Sequence, residues 1–215
     1  MMSGRTIMIV GNGEVPEGAA ATIDTADVVI RFNDCRSVGT GGARTDIVAV
    51  CNTGRPALAM LGGGRWKNSA AVRQAREIWS VRSAEKFAGM RAALAETHPD
   101  LDDFCDDYTC GFESFTTATG RVHRVVPLAA HEQLDRDLSR FAPTPYVVPS
   151  SGMVVIADVL SGFASADDLV VLAGFGHVGW EWHPFAAERR YVDALAAEGR
   201  LRRLSPSSSD LSQGA

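Results

Sequence analysis

Cysteine is scarce in this chain. The four present (Cys35, Cys51, Cys105 and Cys110) form no CxxC pair and no regular framework. That excludes a disulfide-stapled scaffold and leaves reduced thiols in a cytoplasmic protein as the expectation. Long apolar runs are missing too. TIMIV at residues 6–10 stops at Gly11-Asn12-Gly13, too short for a secretion signal and far too short for a membrane span. There is no basic excess: 21 Lys and Arg against 26 Asp and Glu give a net charge of −5. A broad nucleic-acid surface is therefore disfavoured, although a local pocket for one small anion is not. His98, Cys105, Cys110 and His123 have no zinc spacing, and the acidic DFCDD run reads as a solvated surface, so no metal is expected. No GxSxG elbow supports a serine nucleophile. The glycines of GNGEVPEG do not match the dinucleotide pattern GxGxxG.

What is present is ample apolar residue: 46% of 215 positions, enough to bury the core of one α/β domain. Strands are expected at 6–10, 27–32, 46–51, 77–81 and 167–176, with edge strands over 123–128 and in RLRRL. NTGRP reads as a turn after the third strand. Helices are expected at 16–24, in NSAAVRQARE, and over 83–98, 131–141 and 184–198. In the helix over 83–98, Phe87, Met90, Ala93 and Leu94 recur at three- and four-residue spacing. Residues 101–108 read as an acidic connector or short helix, and 111–122 show no decisive period. Strands that are apolar on both faces and alternate with helices predict a mostly parallel sheet flanked by helices. One domain over 1–204 and a disordered tail over 205–215 are expected.

In such folds ligands sit at the carboxyl ends of the strands, where the polar and glycine clusters fall. Gly11-Asn12-Gly13 follows the first strand and offers close backbone approach plus an amide, or simply a tight turn. Arg31 and Asn33 close the second strand and either position a phosphate or sugar, or cap and salt-bridge. Ser150-Ser151-Gly152 opens a helix, as an anion site or an ordinary serine cap. Gly174 and Gly176 end the late strand. The stretch GHVGWEWHPFAAE places His177, Trp180, Trp182, His183 and Glu188 between that strand and the last long helix. Pro184 suits the first helical turn. The imidazole of His183 just ahead of it could accept a proton. Trp180 and Trp182 either wall a sugar or close the core.

These residues carry a resemblance. IVGNGEVPEGAAATIDTADVVIRFNDC followed by GGARTD resembles the long motif of glycosyltransferase family 29, the sialyltransferases, at Gly11, Asn12, Ile23, Asp24, Asp27, Arg31, Asn33, Gly42, Thr45 and Asp46. PSSGMVVIADVL with DDLVVLAGFG resembles its short motif, and His183-PFAA-Glu188 its last. The resemblance covers about half the chain. It implies a single Rossmann-like domain of the GT-A variant type and metal-independent, inverting transfer of an acidic sugar from a CMP-activated donor to an unidentified acceptor hydroxyl. It places the nucleotide and donor on Gly11, Asn12, Gly13, Arg31, Asn33, Ser150, Ser151, Gly152, Gly174 and Gly176. His183 becomes the base, with Glu188 and His177 as further catalytic residues. The family's separate histidine-tyrosine motif is missing, and Met8 and Asp158 stand where its cysteine pair would be. The alternatives are a nucleotide or nucleotide-sugar hydrolase using the same pocket, and a degenerate nucleotide-binding or interaction protein. A homodimer stays open.

Overall fold

The computed structural model describes residues 4–204, so the tail expected to be disordered at 205–215 lies outside the described residues. Seven strands form one sheet in the order β5-β4-β3-β2-β1-β6-β7, and every registered pair is parallel. They are β1 (Thr6–Val10), β2 (Val28–Phe32), β3 (Ile47–Val50), β4 (Glu77–Ser80), β5 (Val122–Val125), β6 (Leu169–Ala173) and β7 (Arg202–Arg203). The helices between them are α1 (Ala19–Asp24), α2 (Gly54–Leu61), α3 (Ala70–Gln74), α4 (Ala84–Thr97), α5 (Thr109–Thr119), α6 (Leu128–Ser139), α7 (Ser151–Asp158) and α8 (Phe185–Ala197). A short π-helical stretch, Val159–Phe163, extends α7. This is an α/β, Rossmann-like architecture, and no described helix is long and apolar enough to cross a membrane.

Alternation along each strand sends successive side chains to opposite faces. Ile7 and Ile9 join Trp79 and the apolar faces of α6, α7 and α8 on one side. Met8 and Val10 pack with α1 on the other, and next to them Val48, Val50 and Ile78 pack with α2, α3 and α5. Both faces are covered, which is why the central strands β1, β3 and β6 are mostly apolar on both faces, whereas the edge strands β5 and β7 carry polar residues.

Two segments depart from the sequence-based expectations. NTGRP is not a turn. Gly54 and Pro56 occupy the first turn of α2, where a missing proline N–H costs no helical bond. Residues 111–122, which lack a clear period, lie mostly in α5. Gly120 ends that helix in the left-handed region at φ 66°, and Phe112 is fully buried against Trp66 with ring centroids 5.5 Å apart.

Candidate functional site

Strand order reverses between β1 and β6, the usual crevice for a nucleotide. Here the main chain of the two turns meets across it. Gly11 N–H donates to the Ala173 carbonyl at 2.8 Å and Gly13 N–H to that of Gly174 at 3.0 Å. A Cβ on Gly11 would lie 2.4 Å from the Gly174 oxygen, and one on Gly152 would lie 2.6 Å from the Phe175 ring. These glycines let two turns and a helix start pack against one another. The polar members of the clusters are equally engaged. Asn12 donates to the Phe32 carbonyl and accepts from Arg36 N–H, while Asn33 accepts from Cys51 N–H. Arg31, fully buried, donates to the Arg44 and Gly41 carbonyls and to Ser37 Oγ, pinning the 37–44 loop.

Ser150 is the N-cap of α7, accepting from Met153 N–H at 3.2 Å. Its own N–H and hydroxyl donate to the two oxygens of Glu188, at 2.6 and 2.7 Å. Glu188 is thereby fully occupied as a clamp between α7 and α8. Burial pushes its carboxyl above the usual carboxylate range against the pull of those two bonds. Ser151 is the first residue of α7, and Gly174 turns the chain at φ 70°. His177 lies elsewhere, beside Arg203 and Arg189 in a separate hollow that also includes Phe175. Burial and the two arginines lower its pKa to about 4. A larger hollow of about 440 Å³ beside β6 is bordered by Glu14, Glu17 and Arg203, and by Gly174 and Gly176 of the late-strand turn, with acidic residues outnumbering the one cation.

The cavity with chemistry lies two strands away, at the carboxyl ends of β3 and β4. It measures about 350 Å³ and is walled by Cys51, Thr53, Arg82, Phe104, Trp180 and His183. Trp180 stacks on Phe104 with centroids 5.4 Å apart and meets the His183 ring edge-on at 4.9 Å. Trp182 stays at the margin, edge-on to His98. His183 Nδ1 lies 2.8 Å from the Val148 carbonyl, which only accepts, so Nδ1 carries the proton and Nε2 is the free acceptor. Burial foremost, with the nearby positive charge of Arg82, lowers its pKa to about 4 and keeps the ring neutral.

Arg82 is placed with care. Asn52, itself fully buried, accepts from Arg82 N–H at 2.6 Å and donates to its carbonyl at 3.0 Å. The guanidinium lies over the Phe87 ring at 5.2 Å and donates through Nη1 to the Pro149 carbonyl at 3.0 Å. Arg82 is 3% exposed, yet among the described residues it forms no ion pair. Among the described residues, its Nε and the hydroxyl of Thr53 are the two buried side-chain polar atoms without a hydrogen-bond partner. By contrast, Asp158 on α7 takes a two-pronged Arg124. Neither Arg82 nor Thr53 stands out in the sequence. The available signal was an arginine just past a mostly buried strand, at the end of a parallel sheet where ligands bind. Among the described residues no group of three or more His, Cys, Asp or Glu is placed to hold a metal.

Fold and cleft together define a Rossmann-like α/β protein with a closed switch point and a charged pocket displaced to β3 and β4. Across its full length it is 79% identical to the urease operon 23 kDa accessory protein of Rhizobium meliloti (strain 1021), and the match covers all of both chains. The chain belongs to that protein's family. No family model matches it. A mammalian sialyltransferase structure superposes with a TM-score of 0.54 at 17% identity, over 94% of this chain and 70% of that one. The α-2,3-sialyltransferase of Campylobacter jejuni gives 0.53 at 13% identity, over 94% and 75%.

At such identities the sialyltransferase likeness is one of fold. The full-length relationship overturns membership of glycosyltransferase family 29, and with it the transferase activity, the CMP-activated donor and the nucleotide-sugar partner. The physical reason the motifs mislead is on view at the switch point. Close approach of backbone to backbone demands the same glycines and asparagines as close approach to a phosphate.

Proposed function

We propose that this chain is an accessory factor for urease that acts by binding, with the cleft between Arg82 and Trp180 as its ligand site. The name of the R. meliloti relative, 79% identical from end to end, carries the first half of that reading. The buried Arg82, with no ion pair among the described residues and an unpartnered Nε, supports the second. A hydrolase in the same pocket draws no such support. A base with a pKa near 4 is poorly matched to neutral pH, and Glu188, which would assist it, spends both oxygens on Ser150. The GT-A variant form of the Rossmann-like fold is part of the same proposal, favoured by the superposition on sialyltransferases.

The test is an in-frame deletion of the gene, with urease activity measured in extracts and normalised to urease protein. The expected outcome is a clear loss of specific activity that the wild-type chain restores when supplied in trans. Unchanged specific activity in the deletion strain refutes the accessory role.

A further inference from the structure

The cleft's chemistry narrows its occupant, an inference that rests on the binding reading above. A buried arginine is ordinarily paired, because holding an unpaired charge out of water is costly. Arg82 is 3% exposed and, among the described residues, has no carboxylate within ion-pairing reach. Four kinds of titratable neighbour influence this region, and none is within ion-pairing reach of it. Glu188 is the acid whose field reaches Arg82, but it does so from a distance, with its oxygens accepting from Ser150. Lys86 on α4 is paired with Asp135. His131 and His183 are both held neutral by burial, each lowered to about 4, and both feel Arg82 as a repulsive charge. Asp103 at the cleft edge is engaged by Arg55 at 2.9 Å.

Thr53 adds a second, independent sign. It occupies the N-cap of α2, where threonine normally accepts a bond from the first turn, yet its hydroxyl makes no capping bond. Pro56 explains part of this, since it removes the N–H that a capping side chain commonly reaches. The hydroxyl is left buried and unpartnered in the wall of the cavity shared with Arg82. The start of α2 lies at the same wall, where the helix dipole favours negative charge. The apolar part of the wall includes the rings of Phe104 and Trp180 and the side chain of Leu101.

We propose that the cleft binds a small organic carboxylate, its carboxylate seated between Arg82 and Thr53 and its aliphatic or aromatic body against Phe104 and Trp180. An inorganic oxyanion fits less well, because Arg55, the other arginine at the cleft, is held by Asp103, and the apolar walls give a bare anion nothing. A volume of about 350 Å³ matches a molecule the size of a substituted benzoate. A ligand hydroxyl or N–H finds an acceptor in His183 Nε2.

The experiment is calorimetric titration of the purified full chain with phenylacetate, benzoate and hexanoate. Phenylacetamide serves as the neutral shape-match and inorganic phosphate as the bare anion. Expected are a Kd below about 1 mM for at least one of the carboxylates, binding of phenylacetamide at least about tenfold weaker than that of phenylacetate, and phosphate weaker than either aromatic acid. Arg82→Met abolishes carboxylate binding. Thr53→Val, which keeps the shape and removes the hydroxyl, weakens it about three- to tenfold, so the proposal remains testable if the Arg82 variant fails to fold. Equal binding of amide and acid, full binding by folded Arg82→Met, or tight phosphate binding with none of the three acids bound would each overturn the proposal. So would the absence of saturation by all three acids. The assay reads the purified chain alone, so its failure leaves the urease phenotype a separate question.

Discussion

Glu188 makes the sharpest stability prediction. The carboxylate is 1% exposed and holds the Ser150 N–H at 2.6 Å and the Ser150 hydroxyl at 2.7 Å. That hydroxyl in turn caps α7. Glu188→Ala strands a buried N–H and removes two charge-assisted bonds. Each such bond is worth roughly 1.5–3 kcal/mol, partly offset by relief of the carboxylate's desolvation. A net loss of about 3 kcal/mol follows, and at roughly 2–4 °C per kcal/mol for a chain of this size, Tm falls by about 6–12 °C. Glu188→Gln keeps an acceptor for the N–H and can donate to the hydroxyl, so its cost is about 1 kcal/mol. The sign with pH is fixed as well. A carboxyl raised by burial takes its proton more readily in the folded than in the unfolded chain. Wild-type stability from this group therefore falls as pH rises through that window, and the penalty of Glu188→Gln shrinks with it. Thermal unfolding followed by circular dichroism at pH 5 and pH 8 reads both effects. If Glu188→Ala melts within about 2 °C of wild type, the clamp is not what holds α7 to α8.

Two further predictions follow from the same structure. His131 and His183 are each lowered to about 4 by burial, against about 6.5 unfolded. The unfolded chain thus takes protons first on acidification, and stability drops between pH 6.5 and 4 by up to roughly 3 kcal/mol per ring. Urea denaturation across that range, repeated on His131→Gln, should show a shallower slope in the variant, and an identical slope refutes the assignment. Gly11→Ala would push a Cβ to 2.4 Å from the Gly174 carbonyl oxygen, a rigid backbone atom. A loss of at least about 2 kcal/mol is expected, and a wild-type melting curve would show that the two turns are not packed as described.

Much of the architecture was legible in the residues. Strands such as TIMIV and LVVLA, apolar on both faces and separated by helical stretches, leave few arrangements other than a doubly covered parallel sheet. The helix over 83–98 was visible in the spacing of Phe87 and Leu94, both of which are buried. Local chemistry was less readable where proline and glycine cluster, since NTGRP is compatible with a turn and with the first turn of a helix. Its environment decided: Gly54 N–H bonds to the Asp106 carbonyl, and Tyr108 N–H to the Asn52 carbonyl.

The site divides along the same line. That polar and glycine residues gather at the carboxyl ends of the strands followed from the sequence by itself, because the order of strand, cluster and helix is local. Which cluster meets open space and which meets another piece of chain is a property of pairs of residues far apart. Gly11 and Gly174 are 163 positions apart and close the switch point on each other. Arg82 is anchored by Asn52, 30 residues away, and donates to a carbonyl 67 residues away. Burial turned this unremarkable arginine into a charge held out of water without an ion pair, and only tertiary packing sets burial, since it depends on what surrounds the side chain rather than on what neighbours it in sequence.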